Sequence, residues 1–432
     1  MTDVLAPGGA GAALDRAAIQ KHTIRVLLCS QAAGGVGLVA TYIVSALIAK
    51  DITNGNKPLA TVAAGCLSIG AAFTAFPLTK LMRSHGRRVG LLVGYLIGSV
   101  GAGIALVAAI TRSYPLLCIG VLGAGAGNAA NLATRYAASD LAPEHRRAFT
   151  IGLIVWATTI GSSTGSLSSG ITSDVGKSLG LPFRAGSYLF SAIMFLVAAA
   201  IVHTFLRPDP LAVAGGVGKQ TETNRQPASE SIKLIWANPA ARLAVAAMIV
   251  SQVTMVGVMA LSPLHMDDGG KSQSLIGYMM TFHIFGMYLF SPLMGMLSDR
   301  IGRYPMLYIS GGLCTWGALW AAVTPASQAL GVFMANFLIG LGWCFGVVAG
   351  SSLIVSSFPI EKRVGVQGVG DMAMIGSGAI AGVSSGLLYS IFDYSGVNIG
   401  NAAFGVFLVV VTLVTYVQVR RSPTVSAAAA AS

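Results

Sequence analysis

Apolar residues run in long blocks along this chain, and polar residues collect in the short stretches between them. Windows of about 20 apolar residues fall at 25–49, 58–82, 89–110, 115–138, 150–172 and 188–206. Six more fall at 241–264, 275–297, 304–323, 329–356, 366–390 and 400–419. A helix rising 1.5 Å per residue crosses the roughly 30 Å hydrocarbon layer in about that length. The pattern therefore predicts an all-α integral membrane fold of twelve transmembrane helices. The stretch 207–240 is polar and rich in Gly, Pro, Asn and Ser. It divides the windows into two sets of six and reads as a flexible linker. The predicted organisation is a cytoplasmic N-terminus (1–24), a six-helix half (25–206), a cytoplasmic linker (207–240), a second half (241–421) and a disordered tail (422–432).

Two loops recur at an offset of 216 residues, half the chain. Gly86-Arg87-Arg88 returns as Gly302-Arg303-Tyr304, and Pro143-Glu144-His145-Arg146-Arg147 returns as Pro359-Ile360-Glu361-Lys362-Arg363. Each lies between apolar windows, so the halves read as a tandem duplication of one membrane unit, a plan common among transporters.

Composition agrees. The chain is 54% hydrophobic and 10% charged, with 54 Gly in 432 residues. A soluble protein of that balance would have to bury nearly all of its surface, which its size forbids. The net charge of +12 does not indicate nucleic acid, because it is sorted by side. Alternating spans place Lys50, Lys57, Arg112, Lys177, Arg184 and Lys271 on one face and the other Lys and Arg on the opposite face. That is the positive-inside distribution, and it predicts both termini in the cytoplasm of a bacterial inner membrane. Residues 1–22 carry no apolar core like that of a signal peptide. Cys29, Cys66, Cys118, Cys314 and Cys344 lie singly in apolar runs, so no disulfide framework is expected.

Gly295-Met296-Leu297-Ser298-Asp299-Arg300-Ile301-Gly302-Arg303 resembles the loop signature of the major facilitator superfamily. The resemblance implies two pseudo-symmetric six-helix halves that rock about a central site. It assigns Gly295, Asp299, Arg300, Gly302 and Arg303 to a charged latch that is made in one conformation and broken in the other. The first-half copy departs from the pattern. Thr79 stands at the glycine position, Arg83 at the acid and Ser84 at the base. Ile119 replaces the arginine of drug antiporters, and the fifth span has no Gly-Pro pair, which counts against a multidrug exporter.

Candidate substrate chemistry lies in the seventh and eighth spans. Met255 and Met259 are spaced i, i+4, as are His283 and Met287, so each pair shares one helix face. A methionine stripe at helical spacing is commonly packing. An imidazole in mid-span is costly and usually faces a cavity, and with thioethers it suits Cu(I). The Met-xxx-Met and His-xxx-Met pair resembles the CcoA-like copper importers of the superfamily. That resemblance implies metal-binding roles for Met255, Met259, His283 and Met287. The same family includes RfnT-like members proposed to import riboflavin, for which Trp156, Tyr278 or Phe282 would stack the flavin ring. His265, Met266, Asp267 and Asp268 mark an outer mouth.

Asp371 is an embedded carboxylate that either exchanges protons or pairs with an arginine at the rim. Arg135 and Lys80 are expected to snorkel to that rim. Gln31, Asn128, Asn131 and Gln252 either line a cavity or bond helix to helix. No Walker loop, nucleophile elbow or HExxH spacing occurs, so the chain is expected to be neither an enzyme nor an ATP-driven pump. It needs no cofactor, nucleic acid or ATP-binding subunit. The expected function is inner-membrane import of copper, as transported substrate, by alternating access. Riboflavin uptake is the alternative, and a membrane metal sensor the remote one. Partners are the small substrate and the lipid bilayer.

Overall fold

The computed structural model describes residues 9–182, 184–217, 228–271 and 273–421; the expected tail 422–432 lies outside them. The first half comprises α1 (Gly9–Ile52), α2 (Lys57–His85), α3 (Arg87–Thr111), α4 (Tyr114–Ser139), α5 (Arg147–Ser178) and α6 (Gly186–Phe205). Two short helices follow, α7 (Pro210–Val213) and α8 (Ala228–Ala237), so the linker carries helical structure where only flexible chain was expected. The second half comprises α9 (Pro239–Asp268), α10 (Gln273–Tyr288), α11 (Ser291–Ile301), α12 (Arg303–Val323), α13 (Ala329–Ser357) and α14 (Ile360–Arg421). No strand occurs among the described residues.

Two of the twelve windows need a physical account. The eighth span is broken into α10 and α11, with Pro292 in the first turn of α11, where its missing N–H costs nothing. Ser291 Oγ pins the break by donating to Gly152 O at 2.8 Å. The eleventh and twelfth windows merge into α14, whose 62 residues would reach about 93 Å if straight. Asp393, at φ +55°, divides it into two helices.

Among the described residues, ten helices are long and apolar enough to cross a membrane. The remaining windows, 150–172 and 366–390, are richer in Ser, Thr and Gly. They belong to α5 and the first part of α14, which form the seams between the halves: α5 packs against α11, and α14 against α2. Helices that face protein rather than lipid tolerate more hydroxyls. Large apolar side chains such as Val100, Ile119, Trp316 and Val323 are exposed, as a lipid-facing surface requires.

Small residues let the backbones close up. A Cβ on Gly70 would stand 2.0 Å from Leu122 O, so α2 and α4 touch at backbone level there. The repeated loops turn at Gly86 and Gly302, with φ of +92° and +91°, a region that L side chains avoid. The duplication is thus visible in backbone geometry as well as in sequence.

Candidate functional site

The inter-half hydrogen bonds cluster at the end that carries the repeated basic loops. Deepest among them is Arg135. It was expected at the rim, but only 2% of it is exposed. Its Nη2 donates to Asp371 and, at 3.1 Å, to Tyr136 Oη, while Nε donates to Ser351 Oγ at 3.1 Å and Nη1 to Leu132 O at 3.1 Å. Tyr136 Oη also donates to Asp371 at 3.1 Å. Asp371 and Ser351 belong to the second half, so the pair joins the halves. The correction has a simple cause. A guanidinium with four protein acceptors, one of them a carboxylate, has no need of headgroup water.

Above this pair lies a small space of about 40 Å³ between the halves, room for one or two waters. Gln31, Asn128, Asn131, Arg135 and Thr158 line it from one side, and Tyr288 and Trp343 from the other. Gln31 Nε2 donates to Thr158 Oγ1 at 2.8 Å, and Tyr95 Oη donates to Asn131 Oδ1 at 3.1 Å. Tyr288 and Trp343 meet edge to face with centroids 5.5 Å apart. Gln252 accepts from Trp343 Nε1 at 2.7 Å and so fixes the indole. The lining combines these amide, hydroxyl and aromatic groups with the aliphatic side chains of Leu38, Leu132, Ile154, Val155 and Val347, and its one cation is paired.

The four Met and His candidates sit outside this lining. His283 is fully buried in α10, and its Nδ1–H donates to Asn336 O of α13 at 2.7 Å. The proton on Nδ1 leaves the Nε2 lone pair free, and that atom has no hydrogen-bond partner. Met287, one turn on, is buried on the same side, where its amide approaches Gly340 of α13. Met255 is also buried. It lies on the α9 stripe that carries Met248, packed on Gly350, and Ser262, which accepts from Asn336 Nδ2 at 2.9 Å. Met259 is partly buried on the Gln252 side of α9. α13 packs against both α9 and α10, which touch each other little. His283 and Met287 thus share one side of α10, and Met255 and Met259 lie on α9, with α13 packed against both helices. Among the described residues no cluster of three His, Cys, Asp or Glu is placed to hold a metal.

The expected stacking aromatics are placed elsewhere. Tyr278 is 66% exposed on the outer surface, and Phe282 stacks on Phe337 at 4.7 Å. Trp156 is not part of the lining. The aromatic pair that does line the space, Tyr288 and Trp343, was missed because neither stands in a motif. At the mouth, His265 stacks on Tyr394 at 3.7 Å and bonds Thr324 O, Asp268 accepts from Tyr389 Oη at 2.9 Å, and Met266 is buried. The Asp267 side chain lies outside the described residues. Cys66 and Cys118, apart in sequence, bring their thiols into contact.

At the basic end, Asp299 accepts from the backbone N–H of Ala148 at 3.1 Å and of Phe149 at 2.8 Å. Those are the first amides of α5, so the acid caps a helix of the other half and meets its positive dipole end. Arg303 acts on it only through its field, while its Nε donates to Ser352 Oγ at 3.2 Å; Arg300 is exposed. Gly295 is needed at this crossing, because a Cβ there would stand 2.4 Å from Ala148 O. On the opposite seam, Arg87 holds Asp140 at 2.8 Å and reaches Gln367 of α14 at 2.8 Å. Burial pushes the neighbouring Arg363 guanidinium down to about 10, with Asp140 opposing and Arg147 and Arg87 adding to the fall.

Comparison with known proteins places this architecture. The profile of the Major Facilitator Superfamily matches residues 27–272 and 243–431. The chain belongs to that superfamily. It is a multi-pass membrane transporter and not an enzyme. It is 34% identical over 401 residues to the uncharacterised MFS-type transporter YddS of Bacillus subtilis (strain 168), covering 91% of each chain. It is 25% identical over 391 residues to the riboflavin transporter RfnT of Brucella anthropi, covering 88% of this chain and 92% of that one. Among solved superfamily folds, an outward-facing bacterial homologue of the iron transporter ferroportin aligns with a TM-score of 0.72 at 12% identity, over 91% of this chain and 99% of that one. The transporter FucP in its outward conformation aligns with a TM-score of 0.68 at 14% identity, over 90% and 97%.

Proposed function

We propose that this chain imports a small, uncharged, planar solute of the riboflavin type across the bacterial inner membrane, by rocking its two halves about the lining between Arg135 and Trp343. The observation that carries the reading is the chemistry of that lining. Amides and hydroxyls offer donors and acceptors for ring edges and sugar-like hydroxyls. Tyr288 and Trp343 offer aromatic faces and edges. The pairing of Arg135 with Asp371 leaves no net charge to attract an ion. In the present conformation the halves meet at the basic end, and the solute binds against the lining as they separate. The relative RfnT, a riboflavin transporter by name, supports the same class. The basic loops, residues 1–24 and the linker 207–240 face the cytoplasm in this reading, and Asp371 takes a proton when the pair with Arg135 opens.

Copper is the second reading, favoured by one observation: the unpartnered His283 Nε2 with Met287 one turn away. It supplies two soft or borderline donors where the importer motif has four. Parallel uptake of labelled riboflavin and radioactive copper by cells expressing the chain separates the two. Riboflavin uptake above the vector control, with its half-saturation concentration raised by Trp343→Leu, supports the first reading. Copper uptake abolished by His283→Leu, with no riboflavin uptake, replaces it with the second.

A further inference from the structure

The latch built by Asp299 has a counterpart that sequence offset alone locates. Adding 216 residues maps Thr79 onto Gly295, Arg83 onto Asp299, Ala148 onto Val364 and Phe149 onto Gly365. The packing repeats with the numbering. In the second half, Gly295 lies on the start of α5, and Asp299 caps the amides of Ala148 and Phe149. In the first half, Thr79 lies on the start of α14, where a Cβ on Gly368 would stand 2.2 Å from Thr79 Oγ1. Arg83 reaches the equivalent of Phe149, its Nη1 standing 3.1 Å from a Cβ on Gly365.

The chemistry at that repeated position is inverted. A carboxylate accepts amide N–H groups and is drawn to the positive end of a helix dipole. A guanidinium has no acceptor and is repelled by the same dipole. Arg83 is nevertheless held there, so a negative group has to offset both effects. Val364 and Gly365 are uncharged, and the acid comes from a third element. Ser231 Oγ of α8 lies 2.7 Å from the same Cβ on Gly365. Its neighbour Glu230 acts on Arg83 by charge attraction. α8 packs against α14 and α9 through its buried face, Ser231 and Ile235. Arg83 belongs to the first half, and Glu230 is docked on the second.

We propose that Glu230 replaces the acid missing from the first-half loop, and that Arg83 and Glu230 form the second latch between the halves. The linker helix is then a working part of the transport cycle as well as a tether. The two halves keep one packing geometry but close it differently, Asp299 against helix amides and Arg83 against a carboxylate carried by the linker. Separation of the halves at this end moves Arg83 away from Glu230, so the contact exists in one conformation only.

The test reads conformation directly and does not depend on the transported solute. Spin labels are placed on cysteines introduced at exposed Ser84 and Lys362, in a full-length background lacking the native cysteines, reconstituted in lipid. Pulsed dipolar spectroscopy then gives the distance distribution across the basic end. Glu230→Gln and Arg83→Gln are each expected to raise the long-distance, separated population roughly fivefold, as loss of a partly exposed ion pair allows. The double variant should match either single one, and the exchange Arg83→Glu with Glu230→Arg should restore much of the short-distance population. Additive effects of the two single changes, or an unchanged distribution in Glu230→Gln, would overturn the proposal. Gel filtration confirms folding. Should Arg83→Gln fail to fold, Glu230→Gln and Glu230→Lys on the half-exposed linker helix decide the question alone.

Discussion

Arg135 of α4 and Asp371 of α14 form an ion pair across the boundary between the two halves, with side chains 2% and 7% exposed. The pair lies 236 residues apart in sequence and closes the floor of the candidate site. Breaking such a pair by removing one partner costs about 3–5 kcal/mol, because the other charge stays buried.

Asp371→Asn leaves Arg135 without a counter-charge in the closed floor. The closed conformation should lose about 3–5 kcal/mol, and solute uptake should fall to background at reduced thermal stability. The pair Arg135→Met with Asp371→Leu should regain much of the stability, since apolar replacement of a buried pair is often neutral, while uptake stays absent. Melting of purified protein beside whole-cell uptake checks both halves of this expectation.

Asp299→Asn keeps one acceptor for the amides of Ala148 and Phe149 but removes the charge that meets the α5 dipole. The interaction is worth about 0.3–1 kcal/mol at a helix terminus. Initial uptake rates should change several-fold at normal protein abundance. An unaltered rate would remove Asp299 from the cycle.

Gly295→Ala places a methyl group 2.4 Å from Ala148 O, a backbone atom that cannot rotate away. The closed seam between α11 and α5 should be disfavoured, and a cysteine probe at Arg300 should become more reactive toward a membrane-impermeant thiol reagent. Gly312 has nothing within 4 Å of its Cβ position, so Gly312→Ala serves as the neutral control.

Trp343→Leu removes both an aromatic wall and the donor to Gln252. Under the riboflavin reading the half-saturation concentration should rise about tenfold, a loss of about 1.4 kcal/mol. Met255→Leu, close to volume-conserving, should cost under about 1.5 kcal/mol of stability and leave riboflavin uptake near normal. The reverse ranking, with Met255→Leu the severe variant, would favour copper.

Topology has its own check. A reporter fused after Arg421, or inserted at Gly216, should report the cytoplasm, and one at Gly269 the periplasm. A periplasmic signal at Gly216 would contradict the assigned orientation.

Much of the fold was legible because lipid imposes a simple rule on composition, and because two loops recur at one offset. The division at Asp393 falls in the gap between the windows 366–390 and 400–419, whereas the break before Ser291 was not legible, since it depends on local backbone conformation inside apolar sequence. The site was harder. Arg135 stands near the end of its window, where snorkelling is the ordinary outcome, and nothing local announces a carboxylate in the other half. Tyr278 and Tyr288 are both tyrosines of the eighth span. Ten residues apart, they fall on different faces, one outward and one onto Trp343. Periodicity gives the relative faces, but the packing of α13 decides which one meets the site. Arg83 was readable as a departure from the motif, while its compensation by Glu230 required a helix that the linker composition does not suggest.

The neutral floor also has an electrical consequence. Carrying one elementary charge across the membrane is worth about 2.3 kcal/mol per 100 mV, and Arg135 with Asp371 presents no net charge to that field. A cycle that moves an uncharged solute with the pair intact is therefore indifferent to membrane voltage. Protonation of Asp371 leaves Arg135 uncompensated, so the loaded carrier bears one positive charge and the interior-negative potential drives it inward. One carboxylate thus sets whether the transporter answers to the solute gradient alone or also to the voltage.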